Sequence, residues 1–450
     1  MSIKVIDSRD VSNPESRAVL QALASRSLKP IDEQVLSVNQ DKTEKFISQH
    51  VIGYNHDSVL ENADSVIISL SDISMFAAKA IEDTSLFRGT ESSTRYIDFE
   101  HQPFITPVEV SNNVNVKLFT AAQNSLRKFY VENLAILTEE YKERFPVETG
   151  QSETVWLKAV KAKAFDVMRS FLPGGAATTV NWGTDLRHAK ERISKLKTYH
   201  LTEVQDLAFA LEKELNSKYP SSVPITPMDE IDNHYLKYST EYHQYAEENV
   251  CYGNVDLWNN PKYKYQMLDI GYTQDSLELY RETYPSLQDR PKGASLPRMY
   301  GDRFTVSGLI DFGSFRDVQR HRNGICKIPL LTTENGFEDW YLEQLTPEIQ
   351  EKANYILFEI EKAVKGFAPE VAQYIIPMGY RMPFLLDYDL AQMVYFTELR
   401  SSKHVHPTAR LVAHHTADFF DTKLPWLNLY TDRSEGAFNI GRGRHDITKY

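Results

Sequence analysis

Cysteine is nearly absent: among 450 residues there are only Cys251 and Cys326. Two thiols make neither a disulfide framework nor a cysteine-built zinc site, which predicts a reducing compartment. No apolar run approaches the ~18 residues of a membrane helix, and MSIKVIDSRD has no apolar signal core, so a cytoplasmic protein without a membrane partner is expected. A basic excess is missing too. The net charge of −12 at pH 7 argues against nucleic acid as a partner. It does not exclude a small phosphorylated ligand, because a few converging arginines set the local field. His404, His406, His414 and His415 have no cysteine or clustered carboxylates beside them to complete a shell, so no metal is expected.

What remains is ordinary for a well-cored protein, 42% hydrophobic and 25% charged, long enough for two or three domains. An internal repeat organises it. Setting Pro173 on Pro377 aligns MRSFLPGGAATTVNWGTDLRHAKERISKL with AQYIIPMGYRMPFLLDYDLAQMVYFTELR without a gap. Upstream, SDISMFAAKAIED resembles IDFGSFRDVQRHR with Asp72 on Asp311 and Phe76 on Phe315. A tandem duplication follows, with unit one at 1–220, unit two at 285–450, and a polar, Tyr-rich, Pro-punctuated connector over 221–284.

Within each unit, SVIISLSDI and FTVSGLIDF have the β-branched content of strands, and each runs into a segment with helical spacing. Lys158 to Phe171 reads as a helix halted by Pro173 and the glycines after it. Thr346 reads as the cap and Pro347 as the first residue of a helix to Val364, with Ile349, Ala353, Ile356, Leu357 and Ile360 on one face. The expected class is α+β, present twice, each unit a β-sheet packed with long helices.

The polar motifs are divided between the halves. Unit one carries His56-Asp57-Ser58-Val59-Leu60-Glu61, Glu91-Ser92-Ser93-Thr94-Arg95-Tyr96, Arg169 to Pro173, and Trp182 with Asp185 and Arg187. Unit two carries Asp317 and Arg320-His321-Arg322, then Leu399-Arg400. With these residues in view, the chain resembles a flavin-dependent thymidylate synthase in a long, duplicated form. In that family an Arg-His-Arg triplet stands just ahead of a Ser-x-x-Glu-x-Ser-x-Arg-Tyr stretch. A His-x-Ser/Thr-x-x-Glu motif precedes both; Arg-x-x-Leu-Pro, Trp-x-x-Asn-x-Arg and a final Leu-Arg follow. The resemblance covers most of both units but not the connector, with Asp185 in place of the family's Asn.

The departures are sorted rather than scattered. The Arg-His-Arg slot of unit one holds Asp83-Thr84-Ser85, counted from Arg95, or Ile81-Glu82-Asp83, counted from Phe76. The Ser-x-Arg-Tyr slot of unit two holds Leu330-Leu331-Thr332-Thr333, and Gln373 replaces the arginine before the Leu-Pro. In the family, each nucleotide pocket takes Arg-His-Arg and the final Leu-Arg from one subunit, and Ser-x-Arg and Arg-x-x-Leu-Pro from its partner. The resemblance therefore implies one composite site per chain and a homodimer of chains, a pseudo-tetramer of units.

It further implies reductive methylation of dUMP to dTMP, with FAD as bound cofactor and NADPH and methylenetetrahydrofolate as co-substrates. Glu91, Ser93, Arg95, Arg169, Asp317, Arg320 and Leu399 would contact the nucleotide. His56, Ser58, Glu61, Tyr96, Asp185, Arg187, Arg320, His321 and Arg322 would contact FAD. A phosphate dianion calls for guanidinium forks and a hydroxyl, which Arg95, Arg169 and Ser93 supply. Arg400 is the candidate catalytic residue, stabilising charge that develops on the N3/O4 edge as C5 becomes nucleophilic. A flavin hydride also removes the need for a cysteine nucleophile. Two alternatives stay open: UMP methylation or hydroxymethylation by the same cofactors, and a non-catalytic nucleotide- or flavin-binding paralogue.

Overall fold

A computed structural model describes residues 2–52, 59, 66–94, 97, 99–111, 114–184, 186–218, 223, 225, 227–249, 265–270, 274–283, 285, 288–296, 298, 303–434, 438–441 and 443. Unit one runs β1 (Ser2–Asp7), α1 (Pro14–Ala24), β2 (Val66–Ser74), α2 (Met75–Glu82), β3 (Arg88–Glu91), α3 (Val116–Arg144), α4 (Glu153–Met168), β4 (Ala177–Thr184), α5 (Leu186–Lys197) and α6 (Thr202–Lys218). After α7 (Glu230–Asn249), unit two repeats the plan with β5 (Tyr265–Ile270), β6 (Phe304–Asp311), α8 (Phe312–Val318), β7 (Gly324–Lys327), α9 (Pro347–Val364), β8 (Arg381–Tyr388), α10 (Leu390–Arg400) and α11 (Pro407–Lys423). Each unit has one antiparallel sheet, ordered β1-β2-β4-β3 in the first and β5-β6-β8-β7 in the second. The α+β class and the duplication both stand.

Strands and helices arise where the patterning places them. SVIISLSDI and FTVSGLIDF are β2 and β6, buried along almost their whole lengths. The Thr346 hydroxyl caps α9 by accepting from Ile349 N, and all five residues of the apolar stripe are buried. The segment Lys158 to Phe171 divides: α4 ends at Met168 and a 3₁₀ turn, Arg169–Phe171, carries the chain to Pro173.

Two expectations change. β2 holds an extra residue, its register slipping between Leu70 and Ile73, with Asp72 in the left-handed region at φ 56°. Ser74 and Asp311 pair with the equivalent residues Ala177 and Arg381, and each caps the helix that follows. The correspondence is therefore Ser74 with Asp311 and Ala78 with Phe315, not Asp72 with Asp311 and Phe76 with Phe315. The lost Arg-His-Arg slot is accordingly Asp83-Thr84-Ser85. Secondly, β5 and α7 lie inside 221–284, so the second sheet begins before residue 285. YQMLDI has a single β-branched residue, Ile270, and gave no strand signal.

The two units meet on a local pseudo-twofold. Pro173 and Pro377 face each other in an isolated antiparallel bridge. Around them four backbone hydrogen bonds come in equivalent pairs: Gly174 N to Ile376 O and Met378 N to Leu172 O, both 2.8 Å, and Gly175 N to Tyr374 O at 3.2 Å and Gly379 N to Ser170 O at 2.8 Å. Aromatic rings close over this ladder. Phe76 stacks on Phe312 and Phe171 on Phe337, each pair with centroids 5.0 Å apart. Such contacts add about 0.5–1.5 kcal/mol beyond area burial, and one apolar core runs through both units.

Gly175 is dictated by this closeness, since a Cβ there would lie 2.5 Å from the Tyr374 carbonyl oxygen. Gly175→Val is expected to lower stability by about 1–3 kcal/mol through enforced backbone shifts. Urea unfolding followed by fluorescence and by far-UV dichroism would check it, with an unchanged midpoint contradicting the ladder's role.

Candidate functional site

The site is built from the end of α8. Asp311, fully buried, caps α8 by accepting from Ser314 N at 2.8 Å, and also accepts from the Tyr341 and Thr408 hydroxyls, each at 2.7 Å. Burial pushes its carboxyl above the usual range. With its start pinned, α8 aims Arg316 and the Gln319–Arg322 stretch at unit one. Arg316 Nη2 lies 2.6 Å from Glu91 Oε1, and both side chains are buried. Arg322 donates from Nη2 to Glu82 Oε2 at 2.7 Å and from Nε to the Glu82 carbonyl at 3.2 Å, with its guanidinium 4.5 Å from the Phe87 ring centroid. Gln319 Nε2 reaches the same Glu82 carboxylate at 3.5 Å.

These pairs set geometry more than stability, because desolvation offsets much of the attraction within a buried ion pair. Glu82 illustrates the balance. Burial, then the charge of Glu91, raises its pKa, while Arg322 and Arg320 oppose the shift.

Arg169 stands on the 3₁₀ turn after α4. Its Nη1 donates to Thr94 Oγ1 at 3.3 Å, and its Nη2 is 3.6 Å from Asp166. Among the described residues, its buried Nε and Nη2 find no hydrogen-bond partner, and neither do Ser92 Oγ and both amide atoms of Asn181. Orphaned buried donors of this kind are costly unless a ligand or water meets them. Ser93 is half-buried, its backbone N–H donating to the Ser25 carbonyl at 3.2 Å just beyond α1.

On the unit-two side, Arg400 is the last residue of α10 and donates from Nε to His321 Nε2 at 2.8 Å. Among the described residues no carboxylate lies within ion-pair distance of Arg400. Burial, followed by the charges of Arg400 and Arg322, holds His321 well below its ordinary 6.5, so the ring is neutral near pH 7. Arg320 is half-exposed and 3.5 Å from Asp317, and Leu399 is exposed.

Six residues singled out from sequence, His56, Ser58, Glu61, Arg95, Tyr96 and Asp185, lie outside the described residues, as does the Arg187 side chain. The structure brings Glu91, Arg322, His321 and Arg400 into one cross-unit cluster and sets Arg169 beside Thr94. Sequence reading missed Glu82, Gln392 and the pairing role of Arg316. A glutamate closing MFAAKAIE, where Lys79 is the one other charged residue, was the available signal for Glu82. Trp182 is core, 1% exposed. Cys326 is buried in β7 with its thiol pushed up to about 12, which keeps it from acting as a thiolate. His406 caps α11 and His414 lies 3.0 Å from the Asp432 carbonyl; among the described residues no cluster of three or more potential ligands could hold a metal.

The mirror position is different in kind. A cavity of about 300 Å³ there is lined by Lys79 and Asp83, which pair at 3.0 Å, and by Ile328, Leu330 and Gln373. These take the places of Arg316, Arg320, Glu91, Ser93 and Arg169. A larger groove of about 620 Å³ runs between α3 and α9 and shares no residue with the arginine cluster.

The sequence profile of the family described as thymidylate synthase complementing protein matches residues 5–221 and again 233–426. Similar curated proteins are named only as UPF0159 proteins. That of Chlamydia muridarum is 23% identical over 428 residues, covering 85% of this chain and 79% of its own length. That of Chlamydia pneumoniae is 24% identical over 415 residues, covering 83% and 77%. That of Thermoplasma acidophilum is 22% identical over 456 residues, covering 87% and 90%.

The neutral, buried His321 has a thermodynamic consequence. Its folded pKa is depressed, so below 6.5 the unfolded chain binds a proton that the folded chain does not. Stability contributed by this group is complete above 6.5 and lost as pH falls, by about 1.4 kcal/mol at one unit below. His321→Gln should remove that increment from the difference between unfolding free energies measured at pH 7.5 and 5.5; identical pH dependence in the two proteins would contradict a neutral ring.

Proposed function

The chain belongs to the thymidylate synthase complementing protein family, and from that premise we propose that it reductively methylates dUMP to dTMP at one composite site per chain. The observation that carries the reading is the meeting of the retained motif sets across the twofold, through Arg316 on Glu91 and Arg322 on Glu82. Neither unit has both sets alone. The described residues also fit an anionic ligand, because among them Arg169 keeps two buried donors without a hydrogen-bond partner beside Thr94.

In this reading the nucleotide phosphate is held by Arg169, Arg95 and Ser93, with Glu91, Asp317, Arg320 and Leu399 at its border. Guanidinium forks fix both the charge and the orientation of the dianion. Arg322 and His321, with His56, Ser58, Glu61, Tyr96, Asp185, Arg187 and Arg320, would hold FAD. When bound, FAD with NADPH supplies the hydride, and methylenetetrahydrofolate supplies the one-carbon unit.

The chain's own contribution to the chemical step falls to Arg400. Making C5 nucleophilic places negative charge on the N3/O4 edge of the uracil, and a guanidinium donating there stabilises it. Arg400 is suited to this because its Nε is occupied by His321 and no carboxylate among the described residues pairs with it. It also stands half-buried, where charge is poorly screened. Two chains would pair as a homodimer in the cytoplasm, each bringing one site.

Purified protein given dUMP, methylenetetrahydrofolate and NADPH should form dTMP and should show a flavin spectrum that NADPH bleaches. UMP as the preferred substrate, a hydroxymethyl product, or no turnover would each replace the reading. Arg400→Lys should still bind FAD and dUMP within several-fold yet lose roughly 10²-fold in turnover, because lysine keeps the charge but not the planar fork. Near-normal single turnover by this variant on pre-reduced protein would remove Arg400 from the chemistry.

A further inference from the structure

We propose that Gln392 is a positioning residue for Arg400, acting through the His321 ring, which passes on the direction of one hydrogen bond to fix the other. The inference rests on the role given to Arg400 above. It begins with an obligate donor: Arg400 Nε is 2.8 Å from His321 Nε2. A guanidinium nitrogen can only donate, so Nε2 must present its lone pair. A neutral imidazole then carries its one proton on Nδ1, and that proton needs an acceptor. The Gln392 amide nitrogen, Nε2, is placed 3.1 Å from Nδ1. Only an amide oxygen can accept from Nδ1–H, and the two amide ends are told apart by their hydrogen bonds alone, so we turn the amide by 180°, with Oε1 toward the ring.

The opposite tautomer fails locally. A proton on Nε2 would face the Arg400 Nε–H, setting two donors against each other in a buried place. Burial and the adjacent guanidiniums of Arg400 and Arg322 likewise exclude the doubly protonated ring near neutral pH.

Both ends of this relay are held. Gln392 is buried in the first turn of α10, and its backbone N–H donates to the capping Asp389 Oδ1 at 2.8 Å. The His321 carbonyl accepts from the Tyr388 hydroxyl at 2.9 Å, and Phe396 sets its edge against the ring at 5.1 Å. Arg400, in the last turn of the same helix, is thereby caught by Nε, which leaves its two Nη groups as the fork that can turn to a ligand.

Unit one supplies an independent observation. The positions equivalent to His321, Gln392 and Arg400 are Thr84, His188 and Leu196. All three members are absent together from the unit that has lost this half of the site. A glutamine kept only to cap or pack α10 would have no reason to change along with the other two.

The test uses the full chain, with Gln392→Met to remove the acceptor at nearly constant volume and Gln392→Glu to restore one. Long-range ¹⁵N–¹H spectra of histidine-labelled protein, with His321 assigned through His321→Gln, should show an Nδ1–H tautomer in wild type. In Gln392→Met the ring should shift toward Nε2–H, and kcat on pre-reduced protein should fall roughly tenfold to hundredfold with KM for dUMP little changed, as for a misaimed group. Gln392→Glu should return both readings toward wild type. A folded Gln392→Met with the ring still wholly Nδ1–H, or with the ring shifted and kcat unaltered, would overturn the proposal. If wild type converts no dUMP, the functional reading fails separately, and the tautomer spectra still decide whether Gln392 sets the ring.

Discussion

Four backbone hydrogen bonds across the twofold, with Pro173 facing Pro377 at their centre, place everything that follows. Backbone groups buried at such a seam must pair with something, and here each unit pairs with its own duplicate. The ladder joins the loop ahead of β4 to the loop ahead of β8. In unit one that loop follows the turn bearing Arg169; in unit two it precedes the strand and helix that end in Arg400. Fixing the two loops back to back brings the end of α8 against α2 and β3, so that Arg316 and Arg322 meet glutamates from the other unit.

The same symmetry gives the proposed loss of the second site a physical form. Lys79 and Asp83 neutralise each other where Arg316 and Arg320 would stand, and Ile328, Leu330 and Gln373 replace Glu91, Ser93 and Arg169. None of these replacements supplies a guanidinium fork to a dianion. On the retained side, an acidic chain gathers Arg169, Arg316, Arg320, Arg322 and Arg400, and the carboxylates set among them pair with particular arginines rather than cancelling the cluster. Charge is thus a property of the site and not of the surface as a whole.

How much of this was legible follows from which signals are local. Strand content in SVIISLSDI and FTVSGLIDF, the cap and proline of α9, and the gapless repeat about Pro173 are all local, and all correspond to what the chain does. The bulge at Asp72 is not, because one extra residue in β2 is visible only through its pairing with β4, and only that pairing sets Ser74 rather than Asp72 against Asp311. β5 has a single β-branched residue, Ile270, and is identified by its partner β6. Arg400 and His321 were evident as motif residues, but the hydrogen bond between them joins positions far apart in sequence, and nothing in either motif announces Gln392 as the neighbour of the same ring.

The central claim is that one site per chain survives, assembled from both units. Titration of FAD into purified apoprotein, followed by flavin fluorescence with protein concentration fixed by amino-acid analysis, tests it most directly. Saturation at one FAD per chain is the predicted result; saturation at two would mean that the mirror cavity still binds and would contradict the composite site.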